Sequence, residues 1–100
     1  MMEIVFDNNG SDLVFKVKSC ERTGWNFTAL LNWNTASIWS LLIDRGIMRA
    51  KTPNGYYQLD LGKTTVKEGP ALHVWVTVPV VEIIDPFKTY EERRIEDYDR

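Results

Sequence analysis

The hydrophobic period of the chain changes once, between Trp25 and Gly46, and that change limits the folds open to it. Trp25, Phe27, Ala29, Leu31 and Trp33 alternate with Asn26, Thr28, Leu30, Asn32 and Asn34, the period of two that marks a strand with one buried face. From Asn34 the spacing becomes helical, with Ile38, Trp39, Leu41, Leu42 and Ile43 around a narrow polar stripe of Ser37, Ser40 and Asp44. Asn34 or Thr35 suits an N-cap, and Gly46 stands where a helix commonly stops. The spacing therefore predicts a strand through Trp33 and a helix over Asn34–Arg45. A single helix from Phe27 to Arg45 is the competing reading, since Ala29, Leu30, Leu31 and Trp33 all tolerate one.

Strand signals surround this segment. Glu3–Phe6 leads into Asp7-Asn8-Asn9-Gly10-Ser11, a turn whose Asn-Gly pair favours positive φ. Leu13, Phe15 and Val17 then alternate with Val14, Lys16 and Lys18 in a second strand running to Arg22, and Thr23-Gly24 turns the chain into the Trp25–Trp33 strand. Three successive antiparallel strands make a meander. Beyond the helix, Ile47–Thr52 and Tyr56–Leu61 flank Pro53-Asn54-Gly55, a hairpin signal, and Gly62–Pro70 reads as a loop without period. Leu72, Val74, Val76, Val78 and Val80 line one face of a long strand that Pro79, lacking an N–H, should place at an edge or break. Asp85-Pro86 is a helix start, and 86–100 follows as a charged helix anchored by Phe87, Tyr90, Ile95 and Tyr98. The expected fold is a single α+β domain over residues 1–100. It has a mostly antiparallel sheet of about six strands, one helix packed on it after the third, and a C-terminal helix.

Composition narrows the function classes. Twelve basic and fourteen acidic residues give a net charge of −2, too balanced for a field that draws nucleic acid or anionic membrane. One cysteine, Cys20, forms no intramolecular disulfide and suits a reducing, cytoplasmic setting. The acidic N-terminal segment does not read as a signal peptide. The most apolar stretch, Ala71–Ile84, is interrupted by His73 and Pro79 and falls short of the ~20 residues of a membrane helix.

The alternation sorts the strand residues onto two faces. Phe6, Leu13, Phe15, Val17, Trp25, Phe27, Leu31, Trp33, Tyr57, Leu59, Leu61, Leu72, Val74 and Val76 form the core face that the first helix should cover. The opposite face is polar, as expected where an antiparallel sheet meets water. It nevertheless carries Tyr56 and Trp75 beside His73 and a basic row of Lys16, Lys18 and Arg22. Rings supply rigid contact area while cations give direction, so these six residues are the candidate binding surface. The first helix is apolar almost all round, which makes Ile38, Trp39 and Leu41 a candidate homodimer face.

Chemistry-bearing motifs are sparse. No phosphate loop, nucleophile elbow, zinc spacing or nucleotide fingerprint occurs. Asp7-Asn9-Ser11 begins like a calcium loop, but the glycine falls early, at Gly10, and Lys18 stands where a glutamate is required. Cys20 and His73 form a nucleophile–base pair only if the fold joins them. With no catalytic residues, metal ligands or cofactor expected, the sequence points to a small accessory or inhibitor protein, of the kind phages and mobile elements encode, that binds another protein. Binding of single-stranded nucleic acid or a nucleotide on the aromatic face is the alternative.

Overall fold

A computed structural model describes residues 2–84, and the expected helix over 86–100 lies outside the described residues. The elements are β1 (Met2–Asn8), β2 (Ser11–Val17), β3 (Ser19–Thr23), β4 (Asn26–Asn32), α1 (Trp33–Ser40), β5 (Ile47–Thr52), β6 (Gly55–Asp60), β7 (Thr65–Glu68) and β8 (His73–Ile84). Short 3-10 turns span Ile43–Arg45 and Leu61–Lys63. Every strand pair is antiparallel. The sheet order is β2-β1-β5-β6-β8-β4-β3, with β7 also on β8. Only Lys18 separates β2 from β3, so the path returns to the strand it left and closes into a ring.

Two long tracks make that closure. The Ser11–Thr23 track pairs first with β1 and then with β4. β8 pairs with β4 and β7 along its first part and with β6 along its last. Inside the ring lie Ile4, Phe6, Phe15, Val17, Phe27, Ala29, Leu31, Tyr57, Leu59 and the valines 74, 76, 78 and 80, all buried. Each large side chain buried this way stabilises by roughly 1.5–3 kcal/mol before chain entropy is set against it.

Helix α1 packs over this core through Trp39, which meets Phe6 at 5.2 Å and Phe15 at 5.7 Å edge to face, while those two rings meet at 5.3 Å. The helix is shorter than Asn34–Arg45 and starts earlier. Its N-cap is Asn32, whose Oδ1 accepts the Thr35 amide at 2.8 Å. At the other end Ser40 donates its hydroxyl to the Ser37 carbonyl at 2.6 Å, and the Leu41 amide turns to Ile38, so α-helical pairing gives way to tighter turns. Phe27–Asn32 is strand, which removes the single-helix reading.

Among the described residues, eight strands replace the expected six. One addition is the division of the second strand at Lys18. The other is β7, inside the presumed loop; its four residues are all exposed, so it carries no hydrophobic period. Pro79 sits neither at an edge nor at a break. The Val80 amide points toward β4, donating to the Trp25 carbonyl at 2.9 Å, so the nitrogen of Pro79 points to the other side. On that side β7 pairing ends at Thr77 and β6 pairing begins at Val80, and the missing N–H falls in the gap.

Three expected core residues are on the surface. Trp25 is 60% exposed in the turn before β4, Trp33 opens α1 instead of ending β4, and Leu72 is 80% exposed at φ 62° in the turn before β8. In each case the strand stops one or more residues short, and alternation ends with it.

Candidate functional site

Four of the six candidate binding residues gather on one side of the molecule: His73 and Trp75 on the outer face of β8, with Lys16 on β2 and Lys18 at the bend after it beside them. Strand register sets them in rows. Leu30 lies opposite Trp75, which lies opposite Lys67, and the Lys18 amide donates to the Leu30 carbonyl at 2.9 Å. The next row pairs Asn32 with His73. Where β2 passes the end of β4, a cleft of about 640 Å³ opens, lined by Lys16, Val17, Lys18, Asn32, Thr35 and His73.

The polar atoms of this cleft are oriented from behind. Asn32 spends its Oδ1 on the helix cap, which leaves its amide N–H groups as its free donors. His73 Nδ1 faces the carbonyls of Ala71 at 2.8 Å and Pro70 at 3.2 Å. Two acceptors on that nitrogen place the ring proton there, and Nε2 is the free position. The turn responsible holds Ala71 and Leu72 at φ 48° and 62° and is closed by the Gly69 amide on the His73 carbonyl at 2.9 Å. Among the described residues, no carboxylate lines the cleft. Lys16 has Glu3 opposite it on β1, whereas β1 pairing ends at Val17 and gives Lys18 no such neighbour.

Trp75 is half-buried beside this cleft. Leu30, on the outer face, is only 6% exposed although it is not part of the interior cluster. Its cover is the Gly69 turn and the indole: a Cβ on Gly69 would lie 3.1 Å from Leu30 and 3.3 Å from Trp75. The ring of Trp75 is thus seated on a small apolar base.

Arg22 and Tyr56 belong elsewhere. They line a second cleft, of about 470 Å³, with Lys51, Asn54, Tyr57 and Ile83. The Arg22 guanidinium donates to the Gly24 carbonyl at 2.7 Å and lies 5.7 Å above the Tyr57 ring, while Lys51 lies 5.7 Å above Tyr56. The cause is the irregularity at Lys18. Val17 faces inward and so does Cys20, three residues on, which reverses the alternation and puts Arg22 on the side of its buried partner Phe27. Arg22 therefore does not continue the row of Lys16 and Lys18.

The helix trio also divides. Trp39 is 1% exposed and belongs to the core, so it is no part of an external face; Ile38 and Leu41 are exposed neighbours one turn apart. Cys20 faces the interior opposite Ala29, and His73 faces outward opposite Asn32. Burial pushes the Cys20 thiol above its ordinary value, and its Sγ donates to Asn54 Oδ1 at 3.5 Å. Among the described residues, no group of three or more His, Cys, Asp or Glu is placed to hold a metal ion, and no helix is long and apolar enough to cross a membrane.

Sequence reasoning missed Asn32 and Thr35 as cleft residues. The available signal was Asn32 itself, a favoured N-cap residue type, obscured because Trp33 also continued the strand alternation. No protein-family model, curated protein or solved structure matches the chain.

Proposed function

We propose that the chain is a non-catalytic binding protein that acts through contact with another protein, using the outer face of β4 and β8 from the Lys16–Lys18–His73 cleft to Trp75. The observation that carries this reading is the seated indole beside a cationic cleft on a ring-closed sheet. A rigid backbone loses little freedom on association, and a half-buried Trp flanked by directional polar groups has the make-up of an interface anchor. A cytoplasmic accessory or inhibitor role goes with this reading and rests on the lone cysteine and balanced charge.

The test is a tagged pull-down comparing wild type with the double variant Lys16→Glu, Trp75→Ala, both checked for native circular dichroism. One specific protein captured by wild type and lost by the variant is the expected result. Equal capture, or none, defeats the proposal. Trp75 next to two lysines also favours a second reading, a nucleotide or single strand stacked on the indole. Quenching of tryptophan fluorescence by adenosine monophosphate or oligothymidine, weakening steeply with salt, would support it.

A further inference from the structure

The contents of the cleft narrow the chemistry of what it receives, and the inference rests on the protein-binding reading of the same face. We infer that the cleft docks an extended acidic segment of the partner protein, with carboxylates at alternate positions engaged by Lys16 and Lys18. Lys16 stands near the end of β2 and Lys18 at the bend that follows Val17, and both line the cleft. An extended acidic segment presents alternate side chains on one side, roughly 6.5–7 Å apart, and so offers two carboxylates to the two ammonium groups. Asn32 offers N–H donors whose direction is set by the cap, and the positive end of the α1 dipole opens on the same cleft. Among the described residues the lining holds no carboxylate to repel an acidic ligand.

The same inventory disfavours nucleic acid. Holding a polyphosphate backbone takes on the order of 6–10 cationic contacts, whereas this cleft has two lysines in a chain of net charge −2. A short acidic segment needs no more than the two. Lys18 carries the larger share, because Glu3 stands opposite Lys16 in the strand register and its negative charge works against an acidic ligand there.

The experiment is an NMR titration of the full, ¹⁵N-labelled chain at low salt with a Gly/Ser peptide bearing two glutamates at alternate positions. Saturable shifts are expected at the amides of Lys18, Asn32, Thr35 and His73, and not with the peptide in which glutamines replace the glutamates. Affinity should fall about tenfold in Lys16→Gln, Lys18→Gln, more through Lys18 than Lys16, and stay unchanged in the charge-matched control Arg49→Gln, Lys51→Gln. Equal binding by the variant, equal binding of the glutamine peptide, or shifts centred on Arg22 and Tyr56 would overturn the inference. So would tighter binding of oligothymidine than of the acidic peptide. If the pull-down captures a partner that depends on Trp75 while the acidic peptide gives no shifts, only the acidic docking falls; if nothing is captured, the protein-binding reading falls with it.

Discussion

Trp39 and Leu41 are two large apolar residues on either side of Ser40, yet their replacement by alanine should have very different consequences. Trp39 is 1% exposed and touches Phe6 and Phe15 edge to face, while Leu41 is 75% exposed. Truncating a buried Trp costs about 3–5 kcal/mol, of which two edge contacts at ~0.5–1.5 kcal/mol each are a substantial part. The bond from the indole N–H to Thr64 Oγ1, long at 3.4 Å, adds little. For a urea dependence near 2 kcal/mol per molar, a loss of about 4 kcal/mol lowers the midpoint by about 2 M. That is a large share of the ~5–15 kcal/mol that holds a domain of this size together. If Trp39→Ala does not fold, Trp39→Phe keeps a ring in place and should cost about 1–2 kcal/mol. Leu41→Ala should stay within ~0.5 kcal/mol. Urea unfolding followed by far-ultraviolet circular dichroism gives all three values. A Trp39→Ala cost below about 1 kcal/mol, or a Leu41→Ala cost equal to it, would show that α1 does not seat on the ring as described.

Three further outcomes can be checked on the same instruments. Asn32→Ala should remove about 0.5–2 kcal/mol by uncapping α1, while Asn34→Ala, at a position with no cap role, should change little; comparable losses would contradict the cap assignment. Gly46→Ala should cost about 1–3 kcal/mol through backbone strain alone, because φ 73°, ψ −118° suits only glycine and a Cβ there meets nothing within 4 Å. Burial keeps the Cys20 thiol protonated to higher pH in the folded chain than in the unfolded one. The unfolded state therefore loses its proton first, and stability should decline as pH rises past the ordinary thiol range, a decline that Cys20→Ala lacks. Parallel pH profiles for the two proteins would refute this.

Much of the architecture could be read from spacing. The strands at Glu3–Phe6, Ile47–Thr52 and Tyr56–Leu61 and both Asn-Gly turns announce themselves through alternation and turn chemistry, and the observed hairpins β1–β2 and β5–β6 follow. Features set by neighbours were hidden. β7 has no buried residue and exists because β8 offers it a partner. The Lys18 irregularity arises where one strand passes from β1 to β4, an event with no local signature, and it misplaced Arg22. Pro79 argued for an edge because a lone strand cannot show that its two neighbours change over beside it. At the candidate site, Lys16, Lys18, His73 and Trp75 were legible as outward residues, whereas their convergence with Asn32 and Thr35 depends on the ring closing.

Closure of the ring also dictates when the chain can fold. β8 supplies the partner for both β4 and β6, and the Thr28–Thr77 hydroxyl pair at 3.2 Å joins residues 49 apart in sequence. A nascent chain that has released β1 to β6 but not β8 presents two bare strand edges, one of them the apolar run Phe27–Leu31. Folding must wait for the valine-rich strand, at the slow pace of distant pairings. During that interval the half-made chain is at its most adhesive. The strand that completes the proposed binding face is thus also the one that ends this exposure.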